Sequence, residues 1–261
     1  MVLGLLACTL ACDAAAPGST MGVGTTGTDD TGAHEASTGA AQPDLGTPEP
    51  MLRCPTPQGH SGRPQTIAEA IAHIKALPAP VDVPCVLESF ARPLPVLATS
   101  SVFSAQPGQG DANPRLFVFF DGLILSFATV GYGSDLIEFA EFVGPTTTVK
   151  AEVAFPLQPD ALTLDMPYSR VIDEGYDGTV CRLCHRNEAP ADAIHPGAFS
   201  SDALAPRSDT ILDLDEVRAH AEACDPSEDP QRCAIFDAVF VPGEVVEGSF
   251  DPRIQTIFDY D

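Results

Sequence analysis

Basic residues are scarce in this 261-residue chain, which carries 13 Lys and Arg against 37 Asp and Glu, for a formal net charge of −24. A protein that binds nucleic acid needs a basic surface to neutralise phosphates, and this composition offers none. We therefore exclude nucleic acid as a partner. The acidic surface is interpreted as a source of solubility, with a docking face for a basic redox partner as the alternative.

Tryptophan is absent, and so are the fingerprints of the common catalytic classes. The chain has no G-x-S-x-G, H-E-x-x-H, P-loop or dinucleotide-binding motif, and its scattered Asp and Glu form no recognisable acid–base pair. The sequence therefore favours a protein that is not an enzyme. Apolar residues make up 44% of the chain, which is enough for a globular core.

The first twelve residues, MVLGLLACTLAC, are apolar and end at Cys12, immediately before Asp13. This ending resembles a bacterial lipoprotein signal, in which the final Cys is lipidated and starts the mature chain. Cys12 is the expected lipidation site, with Cys8 as the alternative and an ordinary cleaved signal as a third interpretation. Twelve residues are too few to cross a bilayer. Because a signal begins with a basic segment and no Lys or Arg precedes Arg53, we expect the translation start to lie further upstream.

Residues 13–53 consist mostly of Gly, Ser, Thr, Ala, Pro and acidic residues. Such a segment cannot bury enough apolar surface to offset the entropy lost on ordering, so it is predicted to be a disordered tether. A tether behind a lipidated Cys would hold a domain away from a membrane. The protein is therefore expected to be exported and attached through its N-terminal lipid, either in the periplasm or at the outer-membrane or cell surface.

Residues 54–261 have the composition of a single globular domain. We predict an α+β fold with an antiparallel sheet or sandwich as its core and a short helix at its N-terminal end. A β-rich part is expected at 86–175. The part at 176–261 is expected to combine a helical hairpin with a Cys-x-x-Cys-His segment.

The N-terminal helix is predicted at residues 67–77. Thr66 and Glu69 have the spacing of a capping box, and apolar residues follow at helical intervals. Cys54 and Cys85 flank this helix, and a disulfide between them is the simplest use of both.

The clearest strand signal lies at residues 116–127, where two apolar arms meet at Asp121-Gly122, a pair suited to a tight hairpin turn. Residues 148–157 alternate between apolar and polar side chains. That alternation predicts one buried face and one wetted face, with Lys150 on the wetted side.

Two helices are predicted near the C-terminus. The first begins at Asp213 and runs to about Cys224, and the second runs from Asp229 to Phe240 with Cys233 in its first turn. A disulfide between Cys224 and Cys233 would close this hairpin. Four cysteines allow three pairings, and we expect the local one.

The most informative stretch is Cys181-Arg182-Leu183-Cys184-His185. Two Cys separated by two residues occur in disulfides, redox pairs and half zinc sites, so this spacing alone decides little. The His directly after the second Cys favours c-type haem attachment, in which the thiols bond the porphyrin and the imidazole ligates the iron. A disulfide or loose dithiol is the first alternative, and zinc is the second.

This pentapeptide resembles the haem-binding site of the c-type cytochromes. The resemblance covers five residues. It implies one covalent haem c, with Cys181 and Cys184 as the thioether positions and His185 as the proximal ligand.

The sixth iron ligand is not specified by the motif. Small c-type cytochromes supply a Met some tens of residues after it, whereas this chain has no Met after Met166. His195 and His220 are therefore the candidate distal ligands, ahead of Met166, His60 and His73.

Two functions follow from these observations. The first is an extracytoplasmic, membrane-tethered protein with one covalently bound haem, serving electron transfer to a redox partner or haem binding. The alternative is a structural or binding lipoprotein whose C-x-x-C is a disulfide, with no haem and no catalysis. A haem enzyme ranks third, because no distal Arg–His pair can be identified.

Deletion of residues 13–50 is expected to leave the stability of the domain unchanged, because the segment has no core-forming pattern. Thermal unfolding of the full and shortened chains should give the same Tm, and limited proteolysis of the full chain should leave a resistant fragment that starts near Cys54. A Tm several degrees lower for the shortened chain would contradict the prediction.

Overall fold

The computed structural model describes residues 52–259. The predicted signal, Cys8, Cys12 and nearly all of the predicted tether lie outside these residues. The described chain begins with a docked segment, since the Arg53 side chain pairs with Asp82 and the Arg53 amide donates to the Glu88 carboxylate at 2.8 Å.

The described chain forms an α+β fold around one sheet, as the sequence predicts. Nine strands make up this sheet: β1 (Leu94–Thr99), β2 (Arg115–Phe119), β3 (Leu123–Ala128), β4 (Leu136–Phe142), β5 (Thr147–Ala154), β6 (Ala189–Pro190), β7 (Phe199–Asp202), β8 (Ile211–Leu212) and β9 (Val245–Glu247). They lie in the order β6-β7-β5-β4-β3-β2-β1-β8, and β9 pairs with the start of β1. All of the pairings are antiparallel except β1 with β9.

The centre of the sheet is the hairpin of β2 and β3, with its turn at Asp121-Gly122 as predicted. Phe120 and Leu123 exchange backbone hydrogen bonds across this turn. Gly122 is required there because a Cβ at that position would lie 2.6 Å from the Gln65 carbonyl oxygen. The hairpin turn is thereby fitted against the chain that leads into the first helix.

Within residues 52–259, five helices accompany the sheet: α1 (Ile67–Lys75), α2 (Val83–Glu88), α3 (Met166–Ser169), α4 (Leu214–Glu222) and α5 (Pro230–Phe240). Thr66 caps α1 by accepting a hydrogen bond from the Glu69 amide at 3.1 Å, as expected of a capping box. The Glu141 carboxylate on β4 accepts from the Ile67 amide at 2.7 Å. A carboxylate at this position also interacts favourably with the helix dipole, so it fixes α1 on the sheet.

The apolar core lies between one face of the sheet and helices α1, α2, α4 and α5. Leu123, Leu125 and Phe127 of β3 have no exposed surface, and neither do Ile67 of α1 and Phe236 of α5. Burial of side chains of this size contributes roughly 1.5–3 kcal/mol each. The helices therefore cover this face through the hydrophobic effect.

Two disulfides brace the helical layer, Cys54–Cys85 and Cys224–Cys233, and both are the local pairs expected from the sequence. Disulfides form and persist outside the reducing cytosol. They therefore indicate an oxidising, extracytoplasmic environment. Within residues 52–259, no helix is both long enough and apolar enough to span a bilayer.

Replacement of Cys224 and Cys233 together by Ala should loosen α4 and α5 and leave the sheet folded. The pair closes a short loop, with a sequence separation of 9. Its loss should therefore lower the free energy of unfolding by about 2–3 kcal/mol in the chain-entropy account. Denaturant unfolding gives the magnitude, and amide exchange that quickens in α4 and α5 but not in β3 gives the location. Equal quickening in β3 would contradict a local effect.

Candidate functional site

The second face of the sheet carries charged side chains, and it is also covered. Lys150 of β5 is only 9% exposed, although strand alternation places it on the face that was predicted to be wetted. That prediction is wrong at Lys150 because the Cys-x-x-Cys-His segment lies against this face, close enough for Cys181 and His185 to interact electrostatically with Lys150. The motif thus belongs with the sheet and not with the helices at 214–240.

An ion pair forms the middle of this charged face. The Arg115 guanidinium on β2 contacts the Glu138 carboxylate on β4 and donates to the Ser126 hydroxyl on β3 at 2.7 Å. Ser126 in turn donates to Glu138 at 3.2 Å. Arg115 also donates to the Gln106 carbonyl at 3.4 Å, which connects the loop after β1 to the sheet. Three neighbouring strands are therefore joined by one charge-assisted network.

Lys150 lies beside this network with its ammonium group buried. The Lys150 ammonium donates to the Thr148 hydroxyl on the same strand. Burial lowers the pKa of Lys150 to about 8, because an ammonium group is poorly solvated in the interior. Negative charge on Cys181, Glu138 and Asp202 opposes this shift. Lys150 therefore exchanges a proton within the ordinary range of pH.

The motif forms a single 3₁₀ turn, Val180–Leu183. The Thr179 hydroxyl caps the turn by accepting from the Cys181 amide at 3.2 Å, and the Glu188 carboxylate accepts from the Thr179 amide at 2.9 Å. The Cys184 and His185 amides both donate to the Cys181 carbonyl, at 3.1 and 2.9 Å. The turn is therefore held by its own backbone and by a carboxylate nine residues downstream.

His185 is directed into the protein. Its Nδ1 lies 2.7 Å from the Asp202 carbonyl oxygen at the end of β7. Because a carbonyl can only accept, Nδ1 carries the proton and donates. Burial, assisted by the charge of Lys150, lowers the pKa of His185 to about 3. The imidazole is thus neutral near pH 7, and it ties the motif to the sheet edge.

The two cysteines of the motif have different surroundings and are both free thiols. Cys181 is half-buried, and burial raises the pKa of its thiol to about 11, although Lys150 opposes the shift. Cys184 is exposed. One sulfur is therefore shielded beside a buried amine, and the other faces solvent.

The prediction of a covalently bound haem c is wrong for this arrangement. Among residues 52–259, no group of three or more His, Cys, Asp or Glu side chains could hold a metal ion. The cavity beside the motif measures about 480 Å³ and is lined largely by polar and charged side chains. A cofactor site needs a predominantly apolar lining. His185 borders this cavity and neither cysteine does, so the thiols and the imidazole do not face a common space.

The histidines considered as distal ligands lie in other settings. His195 is buried, with its Nε2 2.8 Å from the Asp165 carboxylate and its ring stacked on Tyr168 at 4.3 Å. His220 is in the last turn of α4. His195 is thus engaged by Asp165 and Tyr168, and His220 belongs to the helical layer.

The three remaining candidates also lie in elements other than the motif turn. Met166 begins α3. His73 is buried in α1, with its Nε2 2.8 Å from the Ser89 hydroxyl, and His60 lies against its ring edge. None of the three is part of the motif turn.

Sequence reasoning missed Lys150, Arg115 and Glu138 as members of this site. Lys150 is one of two Lys in the chain and lies in a strand whose apolar and polar residues alternate. This pattern gives the face on which Lys150 lies, but it fits a solvent-exposed Lys as well as a buried one. The partners come from strands far apart in sequence. Only the register, in which Ser126 faces Glu138 and Ala140 faces Lys150, brings them together.

Comparison with known proteins finds no counterpart. No protein-family description matches the chain. No curated protein and no solved structure is similar to it either.

Replacement of His185 by Ala should lower the free energy of unfolding by about 1–2 kcal/mol at pH 7, since it removes a half-buried hydrogen bond and leaves the Asp202 carbonyl without its donor. Leu183→Ala in the same turn is the matched control. Leu183 is 78% exposed, so this change should stay within about 0.5 kcal/mol.

The cost of His185→Ala should also depend on pH. The ordinary pKa of 6.5 falls to about 3 in the folded protein, so the unfolded chain binds more protons between these values and the native state loses stability as pH falls below 6.5. The alanine variant lacks this penalty. Urea unfolding at pH 7 and pH 5 should therefore show a smaller deficit at pH 5, and a larger deficit there would contradict a buried neutral His185.

Proposed function

We propose that this protein is an exported, lipid-tethered structural or binding protein. Its Cys-x-x-Cys-His segment is a structural clasp, meaning a turn that packs on the sheet and is held there by its own side chains, and it is not a cofactor site. One observation carries the proposal. The inward groups of the segment are already engaged by the protein, His185 by the Asp202 carbonyl and Cys181 by its position beside Lys150. The segment covers a charged sheet face that would otherwise be open to water.

Export and tethering are supported by separate features. The two disulfides fit an oxidising compartment. The apolar start that ends at Cys12 and the Gly-, Ser- and Thr-rich residues 13–53 fit a lipid anchor followed by a spacer. A periplasmic or surface-exposed lipoprotein, anchored at Cys12, is the proposed form.

We also propose that Cys181 and Cys184 close to a disulfide in that compartment. The Cys184 amide donates to the Cys181 carbonyl at 3.1 Å, which makes the four residues a tight turn. The ends of such a turn lie less than about 7 Å apart, and a disulfide spans Cα separations of about 4.4–6.8 Å. Closure therefore requires rotation of the side chains and little movement of the backbone.

Expression of the full chain in an oxidising compartment, together with a c-type haem maturation system, tests the proposal. The chain should carry no haem, and Cys181 and Cys184 should be joined. Trypsin separates the two cysteines, because Arg182 lies between them, into residues 171–182 and 183–186. Mass spectrometry without reduction should recover these peptides as a linked pair.

The double variant Cys181→Ala/Cys184→Ala is the control for this experiment, and it should yield the two peptides unlinked. Fractionation of the same cells should place the wild type with membranes and Cys12→Ala in the soluble fraction. Addition of one haem mass to the wild type would contradict the proposed structural role of the segment. Recovery of the wild type in the soluble fraction would contradict the proposed lipid tether.

A further inference from the structure

The sulfur atoms of the described chain differ in their access to solvent. Cys54, Cys85 and Cys233 are at most 3% exposed. Cys184, in contrast, is exposed at the end of the 3₁₀ turn. A disulfide or thiol on another molecule can therefore reach Cys184, whereas Cys54–Cys85 is shielded on both sides and Cys224–Cys233 can be approached only at the half-buried Cys224.

The neighbour of Cys184 in the motif is placed to complete an exchange reaction. Cys181 lies three residues away in the same turn, half-buried, and its shielded thiol is close enough to interact electrostatically with the buried amine of Lys150. Exchange requires the attacking thiol to lose its proton, and a base near a shielded thiol can accept that proton as the sulfur attacks. Lys150 is such a base, since burial makes its neutral form accessible near neutral pH.

The surface around Cys184 is suited to contact with a polypeptide. Leu183, next to it, is 78% exposed, and Val180 in the same turn is 48% exposed. These side chains are not needed to pack the turn, because the turn is held by the hydrogen bonds of Thr179 and Glu188. An apolar surface beside an accessible sulfur offers contacts to the residues that flank a partner's cystine.

We propose that Cys181 and Cys184 form a thiol–disulfide exchange site, with Cys184 as the sulfur that reacts with a partner's disulfide, Cys181 as the resolving thiol and Lys150 as its proton acceptor. The inference rests on the proposed function, in which these cysteines carry no haem and can close on each other. The substrate is an accessible disulfide, R–S–S–R.

The reaction balances in two steps. In the first step, the Cys184 thiolate attacks one substrate sulfur. A Cys184–S–R bond forms and the substrate S–S bond breaks. One RS⁻ leaves and takes a proton from water. Cys181 then attacks the Cys184 sulfur, and its proton passes to neutral Lys150 as the new bond forms. The Cys181–Cys184 bond forms, the Cys184–S–R bond breaks, and the second RS⁻ leaves with the proton held by Lys150. Two protein thiols are oxidised, and the substrate disulfide is reduced to two thiols.

The direction follows from the surroundings of Cys181. A buried thiolate is poorly solvated, and the structure offers it the Thr179 hydroxyl and one amine against the nearby carboxylates of Glu138 and Glu188. The reduced pair therefore gains little from ionisation, and such pairs favour the disulfide. The site is thus expected to reduce its partners and to depend on a separate supply of thiol reductant for turnover.

The test uses the full chain after export. Mild treatment with dithiothreitol opens the Cys181–Cys184 bond, glutathione disulfide is mixed in, and samples are quenched with acid at intervals and digested with trypsin. In the wild type, glutathione should appear first on the peptide of residues 183–186. It should then disappear as the linked pair with residues 171–182 forms, with two glutathiones released per chain.

Cysteine variants separate the two roles. Cys181→Ala should retain one glutathione on residues 183–186, because nothing resolves it. Cys184→Ala should react at least tenfold more slowly at Cys181. Equal reaction of Cys181 and Cys184, or no adduct in Cys181→Ala, would overturn the assignment.

Lysine variants test the proton acceptor. Lys150→Met and Lys150→Arg should form the adduct at the wild-type rate but resolve it at least tenfold more slowly. The arginine variant retains the cation and remains informative where the methionine variant fails to fold. Lys75→Met, which changes the other lysine, is the control and should behave as the wild type. Resolution at the wild-type rate in both Lys150 variants would remove Lys150 from the mechanism.

Two further outcomes distinguish failure of the proposed function from failure of the exchange site. If the exported chain carries haem or lacks the linked pair before any reductant is added, the proposed function fails. If the linked pair is present and the reduced chain does not react with glutathione disulfide, the exchange site alone fails.

A second arm uses a peptide disulfide flanked by leucines: a rate at least tenfold above that of glutathione disulfide identifies a polypeptide partner, and an equal rate identifies a small one.

Discussion

Lys150 points away from the helices, and its buried ammonium sets the main constraint on this structure. A sheet whose second face carries Lys150, Arg115 and Glu138 can be covered only by groups that satisfy charge. Beneath an apolar helix, the Lys150 ammonium would keep only the Thr148 hydroxyl as a partner, at a cost of several kcal/mol. The cover is instead a polar turn, with Cys181 beside the amine and His185 bonded to the Asp202 carbonyl. One face of the sheet is thus covered through the hydrophobic effect, and the other is covered through polar and charged contacts.

This constraint changes the meaning of the Cys-x-x-Cys-His segment. In a haem site both thiols and the imidazole face one cofactor. Here Cys181 is half-buried and the ring of His185 bonds to the Asp202 carbonyl, so that of these three side chains only Cys184 is exposed. Spacing that suits porphyrin attachment also suits a short turn that presents one sulfur and shields another. Clasp and exchange site are therefore compatible roles for the same five residues, since His185 holds the turn on the sheet while Cys184 reacts and Cys181 resolves the adduct.

The bracing disulfides give the domain the rigidity that such a turn requires. Cys54–Cys85 holds the start of the domain to α2, and Cys224–Cys233 joins α4 to α5. Both are attached to the helical layer, on the opposite side of the sheet from the motif. Chemistry at Cys184 can therefore proceed without disturbing the pairs that stabilise the fold.

The sequence by itself determined the local features of this protein. Although burial does not alternate along β5, the strand itself, the capping box at Thr66 and the hairpin turn at Asp121-Gly122 each depend on residues close together in the chain, and all three are present in the structure. The same holds for the two local disulfides. Short-range chemistry sets these features, so short-range patterns were enough to predict them.

The tertiary structure decided what covers the polar face and what the motif does. Strand alternation gives the face on which Lys150 lies but not whether that face meets water, because the covering segment is about thirty residues away and is brought there by the pairing of β5 with β7. Likewise, five residues with haem-site spacing cannot reveal whether their side chains meet a cofactor or a buried amine. Burial and charge between distant strands depend on the register of the whole sheet, and that information lies in no single stretch of the chain.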